Sequence, residues 1–129
     1  MIGAGFCHEG SLSVGMPGWV EGSWAYHGDD GNLFLERGRG VQYGDTYGAG
    51  DVVGCGVDSK KNQLFFTKNG EYLGKYLRYL YHLTVDSNFP ITGSAGSAPK
   101  GQLFAVVGVG GQGTRFSINF GPSGFRYNV

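Results

Sequence analysis

Glycine occupies 26 of the 129 positions of this chain and recurs along its whole length, and that density constrains the fold more than any single motif does. A glycine inside a helix costs about 1 kcal/mol relative to alanine, because it loses the most backbone freedom on ordering and packs nothing. At one residue in five, a helix of ordinary length would carry two or more of them, which argues against an all-helical protein. Glycine is at home in tight turns and where two backbones approach closely, so strands joined by turns are the expected product. Nine Phe, eight Tyr and two Trp separate the chain from glycine-rich disordered sequence, which is poor in aromatics. The length corresponds to one domain.

Periodicity then places the strands. Thr114-Arg115-Phe116-Ser117-Ile118-Asn119-Phe120 alternates polar and apolar residues with period two, the pattern of a half-buried strand. In residues 51–58, Val53, Cys55 and Val57 share one face, while Val52, Gly54 and Gly56 leave the other nearly flat, open to close approach by another backbone or sheet. Residues 64–68 form a β-prone run, and Asn69-Gly70 ahead of Glu71-Tyr72-Leu73 predicts a type I′ hairpin, since both turn residues must take positive φ. Further strands are expected near 2–7, 23–27, 32–36, 103–109 and 124–128. No helix of ten or more residues separates any pair of these, so they assemble as an antiparallel β-sandwich rather than as βαβ units. Leu73, Leu77 and Leu80 hint at one short helical turn. Residues 84–102, rich in Ser, Ala, Gly and Pro, read as a flexible surface loop.

Several function classes fall away on composition. The formal net charge is zero, which removes the electrostatic case for a nucleic-acid binder. The charge is nevertheless uneven: eight acids face two bases through Asp58, and eight bases face two acids from Ser59 onward. Interspersed on one surface the two halves cancel, whereas kept apart they form an acidic loop face suited to a basic or amide-rich partner. No run of 18 apolar residues and no basic, then apolar, leader is present, so no membrane association is expected. Cys7 and Cys55 belong to no CxxC motif and the three histidines are scattered, which points to reduced, mostly buried thiols rather than a disulfide scaffold or structural zinc.

The motifs that could carry chemistry do so weakly. Gly108-Val109-Gly110-Gly111-Gln112-Gly113 matches GxGxxG, but a dinucleotide site needs a helix to follow and an acid about 20 residues later. Here a strand pattern follows and the remaining residues hold no acid, so a strand-to-strand loop is the better reading. His27-Gly28-Asp29-Asp30-Gly31-Asn32 offers closely spaced oxygens for a hard cation, yet lacks the later bidentate Glu of a calcium loop. A tight turn with Asp side chains bonded to nearby amides explains it as well. There is no GxSxG elbow, and the neighbours Cys7 and His8 would diverge in a strand, so no enzyme and no cofactor are expected.

Three stretches together resemble a SPRY domain. They are Ile2-Gly3-Ala4-Gly5-Phe6 with Met16-Pro17-Gly18-Trp19; Ser23-Trp24-Ala25-Tyr26-His27-Gly28-Asp29-Asp30-Gly31; and residues 50–57 leading into Phe65-Phe66-Thr67-Lys68-Asn69-Gly70 and Leu73-Gly74. The YHGDDG and PGW segments resemble the RanBPM-type branch, scaffold subunits of the CTLH/GID ubiquitin ligase, and the likeness resumes at residues 103–109 and 118–121. The resemblance implies a SPRY-like sandwich missing its first strands, with an insertion at 79–102 longer than is usual in the family. It implies a non-catalytic module, cytoplasmic and also nuclear, whose loops at one end hold a short peptide of a partner protein. By position, Tyr26, His27, Asp29, Asp30, Phe34, Val109 and Gly110 fall nearest those loops, Tyr26 and Phe34 as apolar anchors and His27, Asp29 and Asp30 as polar contacts. Two alternatives stand beside it: a metal- or small-molecule-binding sandwich using the Asp29-Asp30 turn, and a non-functional fragment of a longer protein.

Overall fold

The computed structural model describes residues 1–12, 15–74 and 100–127 of the chain. Within them run eight strands: β1 (Ile2–Cys7), β2 (Ser23–His27), β3 (Asn32–Leu35), β4 (Val41–Gln42), β5 (Val53–Asp58), β6 (Gln63–Lys68), β7 (Glu71–Tyr72) and β8 (Phe104–Val109), with one 3-10 turn at Glu9–Ser11. They form two antiparallel sheets, ordered β4-β3-β2-β1-β8 and β5-β6-β7. The glycine-dense, aromatic-rich sequence thus yields an all-β sandwich.

Each boundary has a local cause. β3 stops at Leu35 because Glu36 turns to φ 60°, its amide donating to the Ser23 carbonyl at 2.9 Å and its carboxylate accepting the Gly22 amide at 3.0 Å. The β6–β7 hairpin turns at Asn69 (φ 52°) and Gly70 (φ 88°), the left-handed pair that the dipeptide predicts.

The core lies between the sheets. Trp24, Tyr26 and Leu33 from the larger sheet meet Leu64 and Phe66 from the smaller, with Tyr43, Tyr47 and Leu73 closing the cluster. The Tyr26 ring contacts Tyr43, Tyr47 and Phe66 at centroid separations of 5.3, 4.9 and 6.0 Å, tilted or edge-on arrangements favoured by the ring quadrupole. The expectation for residues 51–58 holds in a modified form. Gly56 leaves room for the Phe65 ring, whose nearest atom would lie 2.3 Å from an added Cβ, so the flat face receives a side chain rather than a second backbone.

Every residue of β2 is buried, which a strand with one wet face would not show. Its outer face, carrying Ser23, Ala25 and His27, lies under the segment 16–19. Pro17 O accepts from His27 Nε2 at 2.8 Å, the Gly18 amide donates to Ser23 Oγ at 2.6 Å, and Gly18 O accepts the Arg37 amide at 2.9 Å. The segment fits because its neighbours are small: a Cβ on Gly108 would meet Pro17 Cδ at 2.3 Å.

Two expected strands are absent. Residues 114–120 and 124–127 form no strand, and Phe116, Ile118, Phe120 and Phe125 are exposed. Alternation supplies an apolar face but not the neighbouring edge that a strand's amides and carbonyls require, and no described strand pairs with either segment. Conversely, β4 arises from tertiary pairing with β3 (Asn32 opposite Gln42, Leu33 opposite Val41) without a pattern of its own. The helical hint beyond Gly74 and most of the 79–102 insertion lie outside the described residues.

Candidate functional site

Four connections meet at one end of the sandwich and are tied to one another through backbone groups. In the β2–β3 turn, Gly31 N donates to His27 O at 3.2 Å, and Gly31 O in turn accepts the amides of Tyr43 and Gly44 at 3.1 and 3.0 Å. The Tyr47 amide donates to Gly28 O, and Gly28 N to Ile2 O, both at 2.8 Å. Lys68 Nζ donates to Thr46 O at 2.8 Å, bringing in the β6–β7 hairpin. Gly110 N donates to Met1 O at 2.9 Å, which fixes the exit of β8. This lattice holds the loops rigid on a scaffold, the arrangement binding sites favour.

The aspartates differ in how far they are engaged. Asp30 closes the turn on Asn32, Oδ1 accepting its amide at 2.9 Å and Oδ2 its side-chain Nδ2 at 2.8 Å, while Gly31 takes φ 71° with no room for a Cβ beside Gly44 O. Asp29 and Asp30 are both exposed. Asp51 is held below the usual carboxylate range first by the Asn69 side chain, which donates to it at 2.7 Å, then by the Gly48 amide at 2.9 Å, with Lys68 contributing. With Asp45, these carboxylates give the end an acidic character relieved by Lys68. Among the described residues, no three His, Cys, Asp or Glu side chains converge as metal ligands.

The aromatic candidates are placed otherwise than surface anchors would be. Tyr26 is fully buried in the core, its hydroxyl donating to the Asp45 carbonyl, and its own carbonyl accepts the Tyr47 hydroxyl at 2.7 Å. Burial, with Asp45 and Asp51 nearby, pushes the Tyr26 phenol up to about 12. Phe34 and His27 are also buried, on the opposite face of the sheet, with ring centroids 4.2 Å apart. A carbonyl oxygen can only accept, so His27 Nε2 carries the hydrogen toward Pro17. Of the seven candidates, Asp29, Asp30, Val109 and Gly110 present exposed surface, and Tyr26, His27 and Phe34 are buried.

Trp19 is the surface aromatic that the sequence reading passed over. It lies over His27 and Phe34, at centroid distances of 6.1 and 6.2 Å, and keeps 37% of its area exposed. The signal was the Pro17-Gly18-Trp19 tripeptide itself: Gly18 at φ 87° seats the backbone against the sheet and leaves the following indole outside.

This architecture and these loops can be compared with known proteins. The chain is 45% identical over 128 residues to Ran-binding protein 10 of Danio rerio, covering 99% of this chain and 18% of that protein. Over the same length it is 31% identical to the Ran-binding protein M homolog of Arabidopsis thaliana, of which it covers 23%. A crystal structure of a human SPRY domain superposes with a TM-score of 0.53 at 38% identity, covering 56% of this chain and 48% of the other. The chain therefore spans less than a quarter of the length of these two relatives. SPRY domains are protein-interaction modules. With residues 2–123 matching the SPRY domain family profile and the sandwich built as the family's structures are, the chain belongs to the SPRY domain family.

Proposed function

We propose that this domain is a non-catalytic recognition module that holds a short peptide of a partner protein at the loop end of the sandwich. Asp29, Asp30, Val109 and Gly110 are the contact groups, and Trp19 flanks them. The observation that carries this reading is the combination of a rigid, hydrogen-bonded loop end with exposed carboxylates and a half-exposed Trp supported by His27 and Phe34. Aromatic side chains of this kind supply contact area at low entropic cost. The carboxylates favour a partner segment with Lys, Arg or amide side chains, and such charges act chiefly through the association rate. By its resemblance to RanBPM-type proteins, the domain serves as a scaffold or substrate-recruiting part of a CTLH/GID-type ubiquitin ligase, in the cytoplasm and nucleus.

A displayed library of short random peptides, screened with the domain, tests the site. Enriched binders should carry basic or amide residues. Trp19→Ala should weaken them at least about tenfold with the thermal melt unchanged, and Asp29→Asn should weaken them less and in a salt-dependent way. Binders indifferent to both substitutions would place the surface elsewhere. Tyr26→Ala and Phe34→Ala serve as folding controls, since each deletes a buried ring at a cost of about 3–5 kcal/mol. Co-purification of ligase subunits with the tagged domain tests the assembly, and their absence would confine the proposal to peptide binding.

A further inference from the structure

We propose that the partner segment presents an arginine, whose guanidinium lies flat on the Trp19 indole and pairs with the Asp30 carboxylate. The inference rests on the peptide-recognition reading and names the side chain that reading requires. The register of β2 on β3 fixes the geometry. Ala25 stands opposite Phe34 and Tyr26 opposite Leu33, so one step further His27 stands opposite Asn32. Facing residues of antiparallel strands share a face and successive residues alternate, which puts His27, Asn32 and Phe34 together on the outer face of the larger sheet, away from the smaller one. A Cβ on Gly40 would meet Asn32 Cβ and Phe34 Cζ, each at 2.7 Å, as two side chains on one face require.

Asn32 carries Asp30 onto that face. Its Nδ2 donates to Asp30 Oδ2 at 2.8 Å, while its amide donates to Oδ1 at 2.9 Å. The carboxylate is therefore held beside the His27 ring, over which Trp19 lies nearly parallel, at an interplanar angle of 25°. One side of the indole is turned to His27 and Phe34, and the 37% of Trp19 left exposed lies on the other. Each Asp30 oxygen spends one lone pair on Asn32 and keeps another for an incoming donor.

Of the three partner groups that acidic loops favour, arginine alone meets both features. A guanidinium is planar and weakly hydrated, so it stacks on an indole while its forked N–H groups reach a carboxylate. A lysine ammonium is compact and strongly hydrated, and gains less from the ring. An amide brings no charge to Asp30. A partner aromatic would cover Trp19 and leave the carboxylate without a counter-ion.

The two tryptophans make the test direct, since Trp24 is only 7% exposed. Isotope-labelled domain is titrated with N-acetylarginine amide and with N-acetyllysine amide, followed by NMR. The arginine probe should move the Trp19 indole N–H and the Asn32 side-chain amide together, leave the Trp24 indole in place, and bind at least about threefold more tightly than the lysine probe. Trp19→Leu, which keeps an apolar side chain without a π face, and Asp30→Asn should each abolish that preference with the fold intact. Glu9→Gln, which removes a charge at the other end of the sandwich, should preserve it. Equal response to the two probes, an unmoved Trp19 indole, or a preference that survives Trp19→Leu and Asp30→Asn in folded protein would overturn the proposal. The peptide library separates it from the reading beneath: binders that lack arginine would leave loop-end recognition standing and sink this inference. A library without binders, beside a domain that still prefers the arginine probe, would sink peptide recognition and leave the arginine site.

Discussion

At the residue scale, the glycines do two separable jobs. Gly18 and Gly50 both sit near φ 88°, at 87° and 89°, but a Cβ on Gly18 would meet Phe34 Cβ at 2.6 Å, Phe34 O at 2.8 Å and the Ala25 amide at 3.0 Å, while one on Gly50 meets nothing within 4 Å. Gly50→Ala should therefore cost only the left-handed backbone term, about 1–2 kcal/mol. Gly18→Ala should cost about 2–4 kcal/mol, because the segment that covers His27 and Phe34 must also lift. Denaturant midpoints of the two variants measure the difference, and equal losses would mean the segment yields freely. The cysteines show the same dependence on surroundings: both are unpaired, and burial pushes the Cys55 thiol up to about 11, which keeps it a packing residue rather than a nucleophile.

The β6–β7 hairpin shows how an element acquires a role beyond its own pairing. Asn69 satisfies the turn with φ 52°, accepts the Val52 amide on Oδ1 at 2.8 Å and donates from Nδ2 to Asp51, so a single turn residue fastens the hairpin to the entry of β5. Asn69→Ala should cost about 2 kcal/mol through the strained φ and two lost side-chain bonds, and Asn69→Gly, which relieves the backbone, about 1 kcal/mol. In both variants the Asp51 carboxyl should rise toward the ordinary value, because its first stabilising donor has gone; a carboxylate titration followed by NMR reads this directly. An unchanged Asp51 titration would show that Gly48 and Lys68 suffice.

For the whole molecule, the two sheets are joined largely through tyrosines. Tyr26, Tyr43 and Tyr47 are all buried at their junction, and burial raises each phenol, Tyr26 to about 12 and the other two further. An unfolded tyrosine ionises near 10, so the folded state holds these protons more tightly. The stability they confer is complete below pH ~10 and is lost as pH rises from there, through 12 for Tyr26 and beyond it for the other two. Alkaline titration should accordingly show some tyrosines ionising normally and the rest in one cooperative step with loss of near-ultraviolet circular dichroism. Smooth titration of all eight tyrosines without unfolding would mean the junction admits water.

What the sequence by itself determined was local. The alternating face of residues 51–58 located β5, the β-prone run at 64–68 located β6 and Asn69-Gly70 its hairpin, with β1, β2, β3 and β8 falling where further strands were expected, because side-chain direction and φ are settled within a few residues. Asp30 was legible as a turn former for the same reason. The tertiary structure alone decided which faces are covered. Tyr26, His27 and Phe34 look like loop-end aromatics in sequence, yet the second sheet buries the first and the segment 16–19 buries the other two. Trp19 is left on the surface because its glycine neighbour lies flat. Residues 114–120 carry the clearest strand pattern in the chain and form no strand, since pattern specifies a face, and a strand also needs an edge that only the assembled fold, or another molecule, can supply.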